Sequence, residues 1–543
     1  MEIEEEATVS EPVAAFSTLP RQAAIVTFLS VAGQLVGLLT QVVIAGIFGA
    51  RAEMDAFLAA STLPQYVVAV LLGALAVVFI PVFIDYDGSG RTGEAWRVAS
   101  SVVTTTGLLL TALAIAGMLL AEPLIRITTP GLSPESLALA ARVARIMWPG
   151  IAASGVVVLL IGVYHATGRF AWAALVPVLG AGLNLVLVLV TVRAWGVIGL
   201  AWAGVASMAF QAVLLWWGVA GQARIRPALD WRHPGVAQVV VLLWPLAVSS
   251  LLTRYTQLVD RYLASSLAEG AIAHLAYAFR LVTLVSLFLS TGIATVIFPR
   301  MALNSAVGDA AALRRTLSLG LRVMWLGVAP AIGLGVALSY PMITALIERG
   351  AFLATDTAAV SVLWRIYLVS MAAGCLGSVT GRAFYALKQT RTVAVIGVIE
   401  ALAYVVYTPW LAARFGAAGV AAGYVLYLSL SVGWQLPLLR WRLGRGGGRL
   451  FCGSFARTGA AALIGGAAAS AAAALVDTAW AQLVVGGCAG VLTYLGIIFI
   501  WGGPEVPWTG DVVVRMIRSL WNRDASRPDL LTSSTTAVPR GTR

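Results

Sequence analysis

Between residues 22 and 502 the chain runs through one apolar stretch after another. Each approaches or exceeds the ~20 residues a helix needs to cross a ~30 Å hydrocarbon layer. Inside that layer backbone polar groups find no water, so only helices or a closed barrel can span it. The short alternating strands of a barrel are absent from the pattern. With 60% hydrophobic and 11% charged residues, the chain carries more apolar surface than a water-soluble domain can hide. The expected fold class is an all-α polytopic membrane protein. The runs fall at 22–48, 56–84, 97–121, 137–163, 170–193, 196–220, 236–266, 271–299, 315–339, 357–386, 391–413, 417–440, 454–476 and 480–502, roughly fourteen transmembrane helices by the thickness rule.

These runs repeat. Trp195-Gly196-Val197-Ile198-Gly199 returns about 220 residues later as Phe415-Gly416-Ala417-Ala418-Gly419. Arg145-Ile146 returns as Arg365-Ile366, Phe79-Ile80-Pro81 as Ile297-Phe298-Pro299, and Tyr164 is matched with Tyr385. Six helices per half is an even number, so both halves start on the same side. The expectation is therefore a parallel repeat, two six-helix lobes related by a pseudo-twofold along the membrane normal. The N-lobe takes residues 22–220 and the C-lobe 221–440, with two extra C-terminal helices in 441–502. Residues 1–21, with Glu2, Glu4, Glu5 and Glu6, read as an acidic cytosolic tail. In 503–543 an apolar face (Val512, Val513, Met516, Ile517, Leu520, Trp521) opposes Arg515 and Arg518, suiting the inner leaflet surface, and a disordered cytosolic end follows.

The formal net charge is +12, but its placement argues against nucleic acid. About eighteen Lys/Arg lie in the loops that follow the even-numbered helices and about seven in the others, which puts both termini in the cytoplasm. Cys375, Cys452 and Cys488 are odd in number and read as packing residues, and the scattered His165, His233 and His274 suggest no metal site. Asp85-Tyr86-Asp87 and Gly88-Ser89-Gly90-Arg91-Thr92-Gly93 imitate a metal-nucleotide motif and a dinucleotide fingerprint. Neither has the strand and βαβ context its chemistry needs, so no enzyme and no cofactor is expected.

Charges inside the apolar runs cost about 2.5–3.5 kcal/mol each on insertion scales and therefore require a reason. Arg254, Asp260 and Arg261 lie in or near the end of helix 7, Arg280 in helix 8, Arg365 in helix 10 and Glu400 in helix 11. Asp260 and Arg261 sit close enough to the helix end to snorkel to the outer interface. Arg280 is some nine residues into its helix, ~13 Å deep by helical rise, and a cavity-facing cation is the better reading. Guanidinium suits phosphate because its fork donates two parallel, charge-assisted hydrogen bonds.

Several segments together resemble the MurJ/MviN lipid II flippases of the MOP superfamily. Phe48-Gly49, Asp55-Ala56-Phe57 and Leu63-Pro64 match the family's first two helices. Thr129-Pro130-Gly131, Arg145-Ile146-Met147 with Pro149, and Gly168-Arg169-Phe170 with Pro177 match its third to fifth. Asp260-Arg261-Tyr262-Leu263-Ala264-Ser265 and Tyr277-Ala278-Phe279-Arg280-Leu281 resemble helices 7 and 8, and Arg382-Ala383-Phe384-Tyr385-Ala386 with Thr390-Arg391-Thr392 the turn after helix 10. The resemblance implies two lobes alternating about a cationic cavity in a bacterial cytoplasmic membrane. An undecaprenyl-diphosphate-linked saccharide, lipid II by family default, crosses there for peptidoglycan synthesis. Arg280 falls on a cavity arginine and Asp55 on an acidic outer-end position. The implied partners are that lipid-linked oligosaccharide, membrane lipids and cell-wall synthesis proteins, with the membrane potential or a coupling ion as drive.

The chain departs from the family where the N-lobe should be charged. Family helix 1 reads S-R-x-x-G-x-x-R-D, against Gly33-Gln34-Leu35-Val36-Gly37-Leu38-Leu39-Thr40-Gln41 here, and helix 2 has Gln65 and Val68 for asparagine and arginine. Gln34, Thr40, Gln41 and Gln65 suit hydrogen bonding to sugars or between helices equally well. Three alternatives therefore stay open: a flippase for another lipid-linked glycan (O-unit, capsule or exopolysaccharide), a non-transporting scaffold, and a cation-coupled drug antiporter using Glu400 or Asp260.

Overall fold

The computed structural model describes residues 11–220, 228–444 and 448–501, so the amphipathic stretch expected at 512–521 lies outside the described residues. Helix α1 (Glu11–Phe48) leads into α2 (Ala52–Val67), which passes through a π-helical turn at Val68–Leu72 into α3 (Gly73–Gly88). Then come α4 (Thr92–Leu119), the short α5 (Ala121–Thr128), α6 (Pro134–Met147), α7 (Pro149–Ala166) and α8 (Phe170–Ala220). The second half runs through α9 (Pro234–Arg254), α10 (Thr256–Ser265), α11 (Ala271–Ala306), α12 (Ala310–Ala337), α13 (Ser339–Leu346), α14 (Ala354–Ala386) and α15 (Thr390–Leu443). α16 (Gly448–Ala473) and α17 (Ala479–Trp501) complete it. Backbone helix therefore begins at Glu11, inside the stretch read from sequence as an acidic tail.

Eleven of the described stretches are long and apolar enough to cross a membrane. Two of them, of 50 and 53 residues, hold two passes each, because α8 and α15 double back. The turning points are Gly196 (φ 55°, ψ −136°) and Gly416 (φ 58°, ψ −136°), a backbone geometry that an L side chain rejects. The second glycine of each motif lets the two arms meet. A Cβ on Gly199 would lie 2.6 Å from the Thr191 carbonyl oxygen, and one on Gly419 2.0 Å from that of Leu411. α16, the thirteenth helix of the sequence count, is not among the eleven, so length and composition do not establish the figure of fourteen. Gly416→Ala should cost about 1–3 kcal/mol and lower the thermal unfolding midpoint of detergent-purified protein. Gly433→Ala, in open space on the same helix, should leave the midpoint in place.

The halves match in detail. α5 and α13 are both eight residues long and start after leucines in the same bridge conformation, Leu120 (φ −95°, ψ 11°) and Leu338 (φ −101°, ψ 18°). One expected landmark shifts by a residue. Tyr164 is 2% exposed and Tyr385 53% exposed, while Phe384 is fully buried, so Phe384 is the counterpart of Tyr164. α16 is fastened to α12 by Trp325, whose ring stacks on Phe455 at 4.7 Å and whose Nε1–H donates to the Phe455 carbonyl at 3.2 Å. Gly333 and Gly466 bring the same two backbones together, as small residues do where lipid supplies no hydrophobic drive.

Helix 7 of the sequence reading divides between the halves. Its first part, α9, packs on α3 and the π-turn, and its second part, α10, on α15 and α2. The segment leading into α9 is tied to α4, with Ala228 N–H donating to Thr104 Oγ1 and Asp230 N–H to Ser101 Oγ, both at 3.3 Å. The two decoy motifs serve this joint. Tyr86 lies against the His233 ring at 5.6 Å, with the Arg91 guanidinium 4.5 Å above it.

Candidate functional site

At one end the halves are latched by backbone and carboxylate contacts. Asp55, 5% exposed on α2, accepts from Gly270 N–H at 2.7 Å and Ala273 N–H at 2.8 Å. It thereby satisfies two of the orphan donors at the start of α11, where helix dipole and open N–H groups favour a negative charge. Glu269 accepts from Ala52 N–H at 3.0 Å, Ala351 N–H donates to the Gly46 carbonyl at 2.8 Å, and Tyr277 donates to the Gly49 carbonyl at 3.1 Å. Gly131 N–H donates to Ser265 Oγ at 3.2 Å. Glycine is required at the crossing, because a Cβ on Gly49 (φ 61°) would stand 2.4 Å from the Ala351 carbonyl oxygen. Beside it His274 Nε2 and Asp356 Oδ1 meet at 2.9 Å, joining the starts of α11 and α14. Asp55 is thus a cross-lobe helix cap in this state.

Arg280 lies nine residues into α11, ~13 Å along it, and its side chain is exposed and without a hydrogen bond or ion pair among the described residues. Its Nη2 sits 3.9 Å from where a Cβ on Gly37 would stand, so it crosses from the second half to α1 of the first. α1 meets it with neutral groups. Gln34 and Gln41 are half-buried, and Thr40 is buried with its hydroxyl donated to the Val36 carbonyl at 2.9 Å. Gln65 is exposed on α2, next to Tyr66, whose hydroxyl donates to the Leu251 carbonyl at 2.9 Å near the end of α9. Arg254, the last residue of α9, is exposed.

Asp260 and Arg261 turn inward instead of snorkelling. Arg261 Nη1 donates to the Ile272 carbonyl at 2.9 Å, and the Asp260 carboxylate accepts from the Tyr404 hydroxyl. Glu400 accepts from Trp434 Nε1, away from Arg391 and Arg414. The nine sequence candidates therefore separate into a latch (Asp55), a cross-lobe group (Arg280 facing Gln34, Thr40 and Gln41 of α1), an interior pair (Asp260, Arg261) and two exposed residues outside these groups, Gln65 and Arg254. Sequence reading missed Tyr66, Glu269, His274, Asp356 and Tyr404, all of which act through contacts between residues distant in the chain. A glycine just before α11 was the one local sign of a helix start in need of a cap.

The family model described as "Lipid II flippase MurJ" matches residues 44–487. The chain belongs to the MurJ lipid II flippase family. The "Probable lipid II flippase MurJ" of Vibrio cholerae is 26% identical over 420 residues, covering 73% of this chain and 78% of that protein. That of Bdellovibrio bacteriovorus is 28% identical over 422 residues, covering 75% and 79%. Among solved structures, "Lipid II flippase MurJ, inward closed conformation" superposes with a TM-score of 0.74 at 21% identity, over 88% of this chain and 98% of that one. An inward-facing multidrug resistance MATE family transporter of the MOP superfamily gives 0.66 at 18% identity, over 78% and 98%. This is the MOP fold, in a multi-pass inner membrane protein of a transporter family.

Proposed function

We propose that the chain moves lipid II from the inner to the outer leaflet of the cytoplasmic membrane, by alternating access, for peptidoglycan synthesis. The observation that carries this is Arg280: a guanidinium unpaired among the described residues, ~13 Å along its helix, reaching across the lobes to α1. A cation at membrane depth without a counter-ion is costly, and a diphosphate supplies two acceptors for its fork. Both termini face the cytoplasm, which makes the latched end the outer end and leaves Arg280 reachable from inside. The sugars then meet neutral amides, Gln34 and Gln41 on α1 and Gln65 on α2, where hydrogen bonds rather than charge orient them.

Opening outward requires the Asp55, Glu269, Gly46 and Gly49 contacts to part while the inner ends close. No enzymatic step and no cofactor enters this cycle. The membrane potential contributes about 2.3 kcal/mol per charge per 100 mV, enough to bias a headgroup carrying two negative charges. Membrane lipids surround the chain, and cell-wall synthesis proteins are its natural neighbours.

The test is rescue of cells depleted of their own lipid II flippase. Growth that depends on Arg280 supports the reading. Lysis despite confirmed membrane insertion contradicts it.

A further inference from the structure

Arg142 and Arg145 have no part in the latch or in the Arg280 group. Both are exposed on α6, three residues apart, so they are neighbours on one face, which also carries Glu135, Ala138 and Pro149. Among the described residues neither arginine has a hydrogen bond or an ion pair, whereas Arg126 on α5 is paired with Glu122 at 3.2 Å. α6 runs into α7 through Trp148 in helical conformation (φ −56°, ψ −42°), so depth can be counted along one axis. From exposed Arg169, beyond the inner end of α7, no Asp, Glu, Lys or Arg occurs back to Pro149. That distance is ~30 Å by helical rise, the thickness of the hydrocarbon layer. Arg145 and Arg142 then lie ~6 and ~10 Å beyond the layer, at the level of the lipid headgroups.

The second half has no such pair. At the repeat offset Arg145 becomes Arg365, whose Nε donates to Ser339 Oγ at 2.6 Å, and Arg142 becomes Val362, 49% exposed. Ser339 opens α13 as Ala121 opens α5, so the first half lacks the hydroxyl that occupies the second-half arginine.

Two like charges side by side on a helix repel. The bias that orients the chain keeps Lys and Arg away from the outer side, so the pair runs against the trend. An anion between the two guanidinium forks removes the repulsion and supplies acceptors to both, and at this depth the anion at hand is a lipid phosphate. We propose that Arg142 and Arg145 form a binding site for the phosphate group of an outer-leaflet lipid. The choice of leaflet rests on the orientation proposed above, whereas the binding rests only on the face and depth of α6. Bulk anionic phospholipid and a translocated diphosphate lipid share this chemistry. α6 packs on α2, the helix of the latch acid, and Gly131 just before it bonds to Ser265 of α10. A lipid held by the pair therefore ties the first-half side of the latch to its leaflet.

The experiment places a photo-crosslinking residue at Ala138, exposed one turn from Arg142 on the same face. The full chain is held in bilayer discs of phosphatidylcholine with a minor share of phosphatidylglycerol, and a parallel sample adds decaprenyl diphosphate. Captured lipid is identified by mass spectrometry. No transport step is involved, so the outcome is independent of what the protein flips. The expected result is phosphatidylglycerol captured above its share of the bilayer, with the enrichment falling at least ~5-fold when Arg142→Gln and Arg145→Gln are combined. Arg365→Gln should leave it in place. Decaprenyl diphosphate that displaces phosphatidylglycerol from the adduct identifies a diphosphate lipid as the preferred occupant, and continued capture of phosphatidylglycerol identifies bulk phospholipid. Either supports a phosphate site. The proposal is overturned if the captured lipids mirror the bilayer composition in the parent, or if the enrichment survives the double substitution.

Discussion

Arg280→Ala should reduce lipid II movement by at least ~10-fold, since a charge-assisted hydrogen bond contributes about 1.5–3 kcal/mol. Protein level and membrane insertion should stay unchanged, because the side chain is exposed and bonded to nothing among the described residues. Arg280→Lys should recover part of the activity, a point charge lacking the two-pronged donor geometry that grips a diphosphate. Gly37→Leu approaches the same guanidinium from the opposite lobe, at a site where a Cβ already stands 3.9 Å from Nη2, and should also impair transport. The assay is growth rescue read together with accumulated precursor. Equal activity of the Lys and Arg forms would show that net positive charge is sufficient.

Removing the latch acid should have the second large effect. Asp55→Ala strips the acceptor from two buried N–H groups, each costing about 1–3 kcal/mol when left unmet. That loss falls only on the latched state, so the lobe equilibrium shifts toward the open one by ten-fold or more. Cysteines at Ala52 and Ala271, introduced into a cysteine-free chain, report the change, because the segment before α2 and the start of α11 are in contact when latched, a Cβ on Gly270 standing 2.4 Å from the Ala50 carbonyl oxygen. Cross-linking should be fast in the parent and slow with Asp55→Ala. Asp55→Asn, which keeps one carbonyl acceptor, should fall between. Unchanged cross-linking with Asp55→Ala would mean that the remaining latch contacts hold the lobes without it.

What was legible in the sequence is what local chemistry fixes. The Trp195–Gly199 and Phe415–Gly419 motifs marked the turning points, since only glycine accepts the backbone at Gly196 and Gly416. The repeat followed from their offset. Arg280 stood out because depth along a helix can be counted. Contacts between distant residues were not legible. Nothing near Asp55 in the chain points to Gly270, 215 residues away. Asp260 lies near enough to a helix end to suggest snorkelling, and its real partner Tyr404 is 144 residues on. The Tyr164 landmark slipped to Tyr385 because a tyrosine pair looks more alike than tyrosine and phenylalanine, whereas burial selects Phe384. The extent of the first helix was also missed, since acidic composition near an end reads as a tail whether or not the backbone coils.

The most direct test of the central claim is translocation itself. The purified chain is reconstituted into vesicles with lipid II, a membrane potential is imposed, and a membrane-impermeant reagent counts the lipid II headgroups exposed outside. The expected result is potential-dependent exposure in the parent, at least ~10-fold slower with Arg280→Ala. Exposure at the same rate in both, or in neither while the protein remains folded, would contradict Arg280-dependent lipid II flipping.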